Sequence, residues 1–328
     1  MRAQPAFGAD LITFFDPAYW GLPDSDALGK HAEQDPGGFW NRILDALSAA
    51  GIQQLEITFE PAGLRGAQRA FGSAAGFATE LSRRGLALAS GYFGDLEHAP
   101  SVTDPAVREQ ILAEADRHAA FLAEAGGRHL VVGLPMRRNA AGGGYLPVDL
   151  RTAEPIADLV NRLAARTARH GIRTLLHTES SSVFWNARDV DLMMLLTDAL
   201  TVGLCLDTGH VALAGSDPVA LARRYHERLG LLHWKDAAGP LPGTPRVDAD
   251  IFSVHRKFFR PVGAGVVDWP ALAAALADGG FAECILLELD AAADPAAALI
   301  AARVYLQSTL GDALPTFSPL PRPAQPLE

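Results

Sequence analysis

Four short apolar runs in the second half of the chain each end on residues that can take up or release protons. The first closes on His177-Thr178-Glu179 and the next on Asp207-Thr208-Gly209-His210. The third closes on His233-Trp234-Lys235-Asp236 and the last on Glu288-Leu289-Asp290. Strand geometry, with its period of two, puts His177 on one face with Glu179, and His233 on one face with Lys235. Three carboxylates and an imidazole brought to one point would repel and stay unpaired, so a divalent cation between them is the economical answer. Oxygen-rich ligation with one nitrogen and no thiolate suits Mn²⁺, with Co²⁺ and Mg²⁺ as alternatives, better than a structural zinc. Taken singly, a histidine or aspartate at a strand end is as often a hydrogen-bonded structural residue. Four of them at successive strand ends argue for a site.

These runs belong to a longer alternation. Strand-like stretches are expected near 10–15, 54–59, 87–93, 129–134, 173–179, 202–208, 229–235 and 284–289. Helical patterns fall between them, near 39–50, 67–84, 105–125, 152–170, 187–200, 218–229, 269–278 and 295–310. In the third of these, Val107, Ile111, Ala115, His118 and Leu122 recur at spacings of three and four and make one stripe. Gly51, Gly85, Gly126, Gly171 and Gly280 stand at helix ends, where a left-handed cap favours glycine. Asp104-Pro105, Asp217-Pro218 and Asp294-Pro295 read as an N-cap followed by proline in the first turn. Strict alternation with buried strands implies a parallel sheet, and eight units imply closure into a single (β/α)8 TIM barrel. In that architecture the active site lies at the carboxyl ends of the strands, where the four runs place their ionisable groups.

The barrel is expected over 1–311, with a long insertion at about 237–261 that covers its mouth. Residues 312–328 form a proline-rich tail, disordered or laid against a neighbouring subunit, which leaves room for a homo-oligomer or a second subunit. No glycine-rich phosphate loop is visible. Of 328 residues, 49% are hydrophobic and 20% charged, which is enough to bury a large core. A net charge of −10 argues against a nucleic-acid partner but does not repel a neutral sugar. The two cysteines, Cys205 and Cys284, sit in apolar runs and read as small buried hydrophobes in a reducing compartment. No secretion signal and no membrane-spanning run is visible, so no membrane partner and a cytoplasmic location are expected.

The motifs L-D-T-G-H (205 onward being C-L-D-T-G-H), H-W-K-D at 233–236, V-G-A-G-V-V-D-W-P at 262–270 and L-L-E-L-D at 286–290 resemble those of xylose-isomerase-like sugar isomerases, epimerases and dehydratases. The chain looks most like the inosose dehydratases, which share a lysine two residues after the histidine and an insertion before the glycine-rich turn. The resemblance implies metal ligation by Glu179, Asp207, His233 and Glu288, and substrate contacts from His210 and Lys235. Glu56 resembles a glutamate common in the family and is expected in the substrate pocket. There are departures. The dehydratases read H-x-H-x-G-T where this chain has His177-Thr178-Glu179-Ser180-Ser181-Ser182, and the arginine that epimerases carry soon after the histidine is missing.

The expected reaction is proton abstraction beside the carbonyl of a keto-polyol or keto-sugar, through a metal-stabilised enediolate. Glu179 or Glu288 would be the base, and His177, His210 or Lys235 the acid. Elimination would make the protein a lyase of the inosose dehydratase type, and reprotonation a sugar isomerase or epimerase. The His-x-Glu pattern also resembles lyases that cleave C-glycosides of 3-keto-sugars with a second subunit. An abasic-site endonuclease shares the barrel but needs histidines on the third and fourth strands, which here end in Ser90-Gly91-Tyr92-Phe93 and Gly133-Leu134-Pro135. A non-catalytic binding protein would need no metal set.

Overall fold

The computed structural model describes residues 5–316. Eight parallel strands form a closed barrel: β1 Phe7–Asp10, β2 Gln54–Ile57, β3 Ala87–Phe93, β4 His129–Val132, β5 Arg173–His177, β6 Val202–Asp207, β7 Leu229–Trp234 and β10 Ile285–Leu287. Closure comes from β1 against β10, with Phe7 opposite Ile285 and Ala9 opposite Leu287. A two-residue antiparallel ribbon, β8 Asp236–Ala237 with β9 Phe259–Arg260, lies outside the barrel sheet. The TIM-barrel architecture read from the alternation is therefore the one found.

Two apolar layers hold it. Val131, Leu175, Cys205, Leu231, Cys284 and Leu286 belong to a small cluster of strand residues, distinct from the larger one that joins strands to helices. Both cysteines are buried free thiols, and burial pushes each up to about 12, which keeps them as inert packing groups. The five helix-end glycines all have positive φ, between 70° and 88°, and at the three Asp-Pro starts the aspartate accepts from the first helical turn.

Three expectations need correction. The first strand is Phe7–Asp10 and not 10–15: the Asp10 carboxylate accepts from the Ile12 amide at 2.6 Å and turns Leu11–Phe14 into a 3-10 helix. The pattern over 67–84 splits into Leu64–Phe71 and Ala74–Arg83, because Gly72 takes positive φ and Ser73 caps a fresh helix by accepting from Gly76. An unanticipated helix, Ser25–Gln34, starts at Asp24, which accepts from Ala27.

The insertion carries the β8–β9 ribbon and a short helix, Ile251–Arg256. Asp236 fastens its far side by accepting from the amides of Gly263, Gly265 and Val267 and from the Trp269 indole. The proline-rich tail beyond residue 316 lies outside the described residues. Among those described, no helix is long and apolar enough to cross a membrane.

Candidate active site

Strand register brings the ionisable residues together. Asp207, last in β6, is in register with His233 of β7, and Leu286 of β10 lies on the other side of His233, so Glu288 arrives just beyond it. Thr178 and Thr208 tie these strand ends. The Asp207 amide donates to Thr178 Oγ1 at 2.9 Å, and the Lys235 amide donates to Thr208 Oγ1 at 3.1 Å. Asp207 Oδ1 accepts from the His210 amide and caps the helix Thr208–Leu213, which leaves Oδ2 for the site. Gly209 is needed here, since a Cβ would lie 2.8 Å from Cγ of Lys235.

Donor atoms of His177, Asp207, His233 and Glu288 all lie within 4.8 Å of one another. All four residues are buried. Among the described residues, Asp207 Oδ2, Glu288 Oε2 and both ring nitrogens of His177 and His233 have no hydrogen-bond partner. Buried polar atoms are seldom left this way, and a cation would take up one from each of the four residues at once. The site therefore fits a divalent metal.

Lys235 is 1% exposed, with Nζ 2.6 Å from Glu288 Oε1, 2.5 Å from Asp290 Oδ1 and 4.0 Å above the Phe259 ring. Burial alone would lower its proton affinity, but Asp290, Glu288, Asp207 and Glu179 overcome that and hold the ammonium well above its ordinary value. Burial likewise opposes charge on Glu288, yet Lys235 and His233 keep its carboxyl well below the usual range. For Glu179 burial wins, and its carboxyl is raised well above the usual range. Burial and the Lys235 charge keep His210 neutral. The Ser180 amide donates to His210 Nδ1 at 2.9 Å, and the Lys235 ammonium lies 3.1 Å from Nε2.

These groups line a cavity of about 310 Å³. That is the low end of ligand pockets (~300–1,000 Å³), a scale for one sugar or cyclitol ring. Its apolar walls are Phe59, Tyr92, Phe252 and Phe259.

Residues 44–308, well over half of the chain, match the model of the xylose isomerase-like TIM barrel family. The chain belongs to that family. An inosose dehydratase of Lacticaseibacillus casei is 28% identical over 162 residues, 48% of this chain and 54% of that protein, so the match spans about half of that relative. The inosose dehydratase of Geobacillus kaustophilus is 26% identical over 302 residues, 86% of this chain and 87% of that protein. In fold, the IOLI protein with a bound zinc atom aligns with a TM-score of 0.65 at 14% identity, over 96% of this chain and all of that one.

Within this family barrel, His177, Glu179, His210, His233, Lys235 and Glu288 all reach the cavity. The cluster of ligand atoms contains His177 where the resemblance implied Glu179, whose Oε1 lies 3.2 Å from His210 Nδ1 instead. Glu56 is displaced from its expected place in the substrate pocket. It is fully buried beneath it, held by Ser90 Oγ and by His233 Nε2 at 3.1 Å, because strand register sets Asp10, Glu56 and Ser90 side by side. Trp20 and Trp185 also stand apart from the cavity and spend their indole N–H groups on the Phe14 and His210 carbonyls.

His255, on what reads as a solvated charge run, is 1% exposed and lines the cavity, while Arg256 and Lys257 stay outside. Its Nε2 lies 2.9 Å from Ser181 Oγ, which also bonds the Tyr145 hydroxyl. Ser181 holds a positive φ of 63° to do so. Glu97 and Asp290 are cavity carboxyls that sequence reasoning did not assign.

Proposed function

We propose that this chain is a sugar-modifying enzyme, a divalent-metal-dependent lyase that removes water from an inosose or a closely similar keto-polyol. The observation that carries this reading is the convergence of His177, Asp207, His233 and Glu288, buried and unpaired, beside a charged lysine in a cavity of one-ring size. Likeness to the inosose dehydratases supplies the substrate class.

His177, Asp207, His233 and Glu288 would hold the ion, which when bound supplies positive charge beside the substrate's oxygens. Two imidazoles and two carboxylates suit Mn²⁺, Co²⁺ or Zn²⁺ better than Mg²⁺. Mn²⁺ remains the working assignment, and the zinc of the IOLI protein makes Zn²⁺ the competitor to test against it.

Glu179 serves as the base. Glu288 belongs to the ligand cluster, with Oε2 unpartnered among the described residues and Oε1 accepting from Lys235 at 2.6 Å. Glu179 Oε1 has no hydrogen-bond partner among the described residues, and the residue lines the cavity. Taking the hydrogen next to the carbonyl leaves an enediolate, whose growing negative charge faces the Lys235 ammonium. Departure of the hydroxyl from the next carbon completes the dehydration.

The test is to incubate metal-loaded protein with inosose in D₂O and to repeat the reaction with inosose deuterated next to the carbonyl. Loss of water with a primary isotope effect, accompanied by exchange of that hydrogen into unreacted substrate, is the expected result. Neither effect, with the metal bound, would sink the reading.

A further inference from the structure

The dehydration proposed above needs an acid for the departing hydroxyl, and the groups beside the metal cluster are badly placed to be that acid. Glu288 and Asp290 hold Lys235, and the Ser180 amide holds His210. A different carboxyl faces them. Glu97 follows β3, and in the barrel order β3 stands four strands from β7, directly across from Lys235. A ring bound between them presents one edge to Lys235 and the opposite edge to Glu97.

The surroundings of Glu97 are built for it. Its side chain is 1% exposed yet lines the cavity. Oε2 accepts from the Tyr92 hydroxyl at 2.9 Å, and Oε1 has no hydrogen-bond partner among the described residues. Gly133, just past the end of β4, makes the room. A Cβ there would fall well inside van der Waals contact of both the Tyr92 hydroxyl and Glu97 Oε2. The Tyr92 ring meets His177 edge-on, with centroids 5.4 Å apart, so the pair is braced against the metal cluster. Charge has little support here. The nearest imidazole, on the exposed His98, is 4.0 Å away.

We propose that Glu97 is the general acid of the reaction, donating its proton to the hydroxyl that leaves from the carbon beyond the one deprotonated by Glu179. The balance closes. The electron pair of the broken C–H bond moves through the enediolate to form the C=C bond, and the C–O bond breaks. The hydroxyl departs with the Glu97 proton as water; before the next turnover Glu97, now a carboxylate, is reprotonated from solvent and Glu179 releases to solvent the proton it took. Burial, which raises the Glu97 carboxyl above the usual range, favours the protonated form this role requires.

The inference rests on the dehydratase reading, and the experiment separates the two. With metal-loaded Glu97→Gln and inosose in D₂O, water loss is expected to fall roughly 100-fold or more, the scale of general acid catalysis. Exchange of the hydrogen next to the carbonyl should stay near the wild-type rate. An inosose bearing fluorine in place of the departing hydroxyl, which leaves without a proton, should be turned over by Glu97→Gln almost as well as by wild type. Unchanged water loss, or exchange and water loss falling together, would overturn the proposal. An infrared difference between wild type and Glu97→Gln at neutral pH gives a readout independent of activity. The carbonyl stretch of a protonated carboxyl is expected, and a carboxylate signal in its place would overturn the role even if inosose were not the substrate. A wild-type protein that neither exchanges nor dehydrates counts against the dehydratase reading alone.

Discussion

Glu56 Oε1 lies 3.1 Å from Nε2 of His233, while the other ring nitrogen, Nδ1, lies 2.7 Å from Glu288 and 3.8 Å from Asp207. The imidazole thus has a buried carboxylate close beneath one nitrogen and the cluster close to the other. Such a partner fixes the tautomer and orientation of a metal-binding histidine. Glu56→Gln should fold normally but bind Mn²⁺ or Zn²⁺ roughly 10–100-fold more weakly, read by competition with a calibrated chelator. Wild-type affinity would remove Glu56 from that role.

Lys235 is the ammonium that balances the crowd of carboxylates at the mouth. Its replacement by methionine leaves Glu288 buried, and Asp290 half-buried, without their counter-charge. Breaking a buried pair from one side costs about 3–5 kcal/mol. The metal-free Lys235→Met protein should lose stability on that scale in urea denaturation, yet still take up metal, because the lysine is no ligand. A loss below about 1 kcal/mol would mean that the carboxylates are protonated together when the lysine goes.

Most of the frame was legible because it rests on local rules. Eight apolar runs, Asp-Pro starts and helix-end glycines depend on neighbours in sequence, and the barrel places all strand ends at one mouth. The site itself was legible only where a residue stands directly at such an end, as Asp207 and His233 do. Glu97 and His255 were not assigned because one reaches the cavity from a turn and the other from the short helix of the insertion, and nothing in the flanking sequence tells a buried histidine from a solvated one beside Arg256 and Lys257. Glu56 was recognised but misplaced by one layer. Whether a strand-end carboxylate faces the cavity or a neighbouring strand depends on lateral register, which a single sequence does not carry.

His255 makes the cover over the mouth sensitive to acid. Burial, with the Lys235 charge adding, pushes its imidazole down from 6.5 to about 4. The unfolded chain then takes up the proton first, so stability falls as the pH drops below about 6.5, and the loss is complete near 4. In full it amounts to roughly 3 kcal/mol. The difference in melting temperature between wild type and His255→Gln should therefore be constant above pH 6.5 and shift against wild type between pH 6.5 and 4. Asp290, raised to about 6, titrates in the same window but is common to both proteins and cancels in the difference. Parallel curves across that window would show that His255 is not docked against Ser181.

The last prediction concerns which of two residues on one strand face holds the metal. The resemblance implied Glu179 as a ligand, whereas the unpaired cluster contains His177, with Nε2 3.7 Å from Asp207 Oδ2. Glu179 has other company. Its Oε2 lies 3.7 Å from His177 Nδ1 and its Oε1 3.2 Å from His210, on the cavity side. If His177 is the ligand and Glu179 the base, the two substitutions must fail differently. His177→Ala should lose the metal, read by elemental analysis after gel filtration, and lose hydrogen exchange in proportion. Glu179→Gln should keep about one metal ion per chain and yet lose both exchange and water loss, because an amide cannot take the proton. Excess Mn²⁺ should partly restore His177→Ala and do nothing for Glu179→Gln. The opposite pattern, with Glu179→Gln empty of metal and rescued by it, would return the glutamate to the coordination sphere and leave the base to Glu288, the other carboxylate that lines the cavity beside His233.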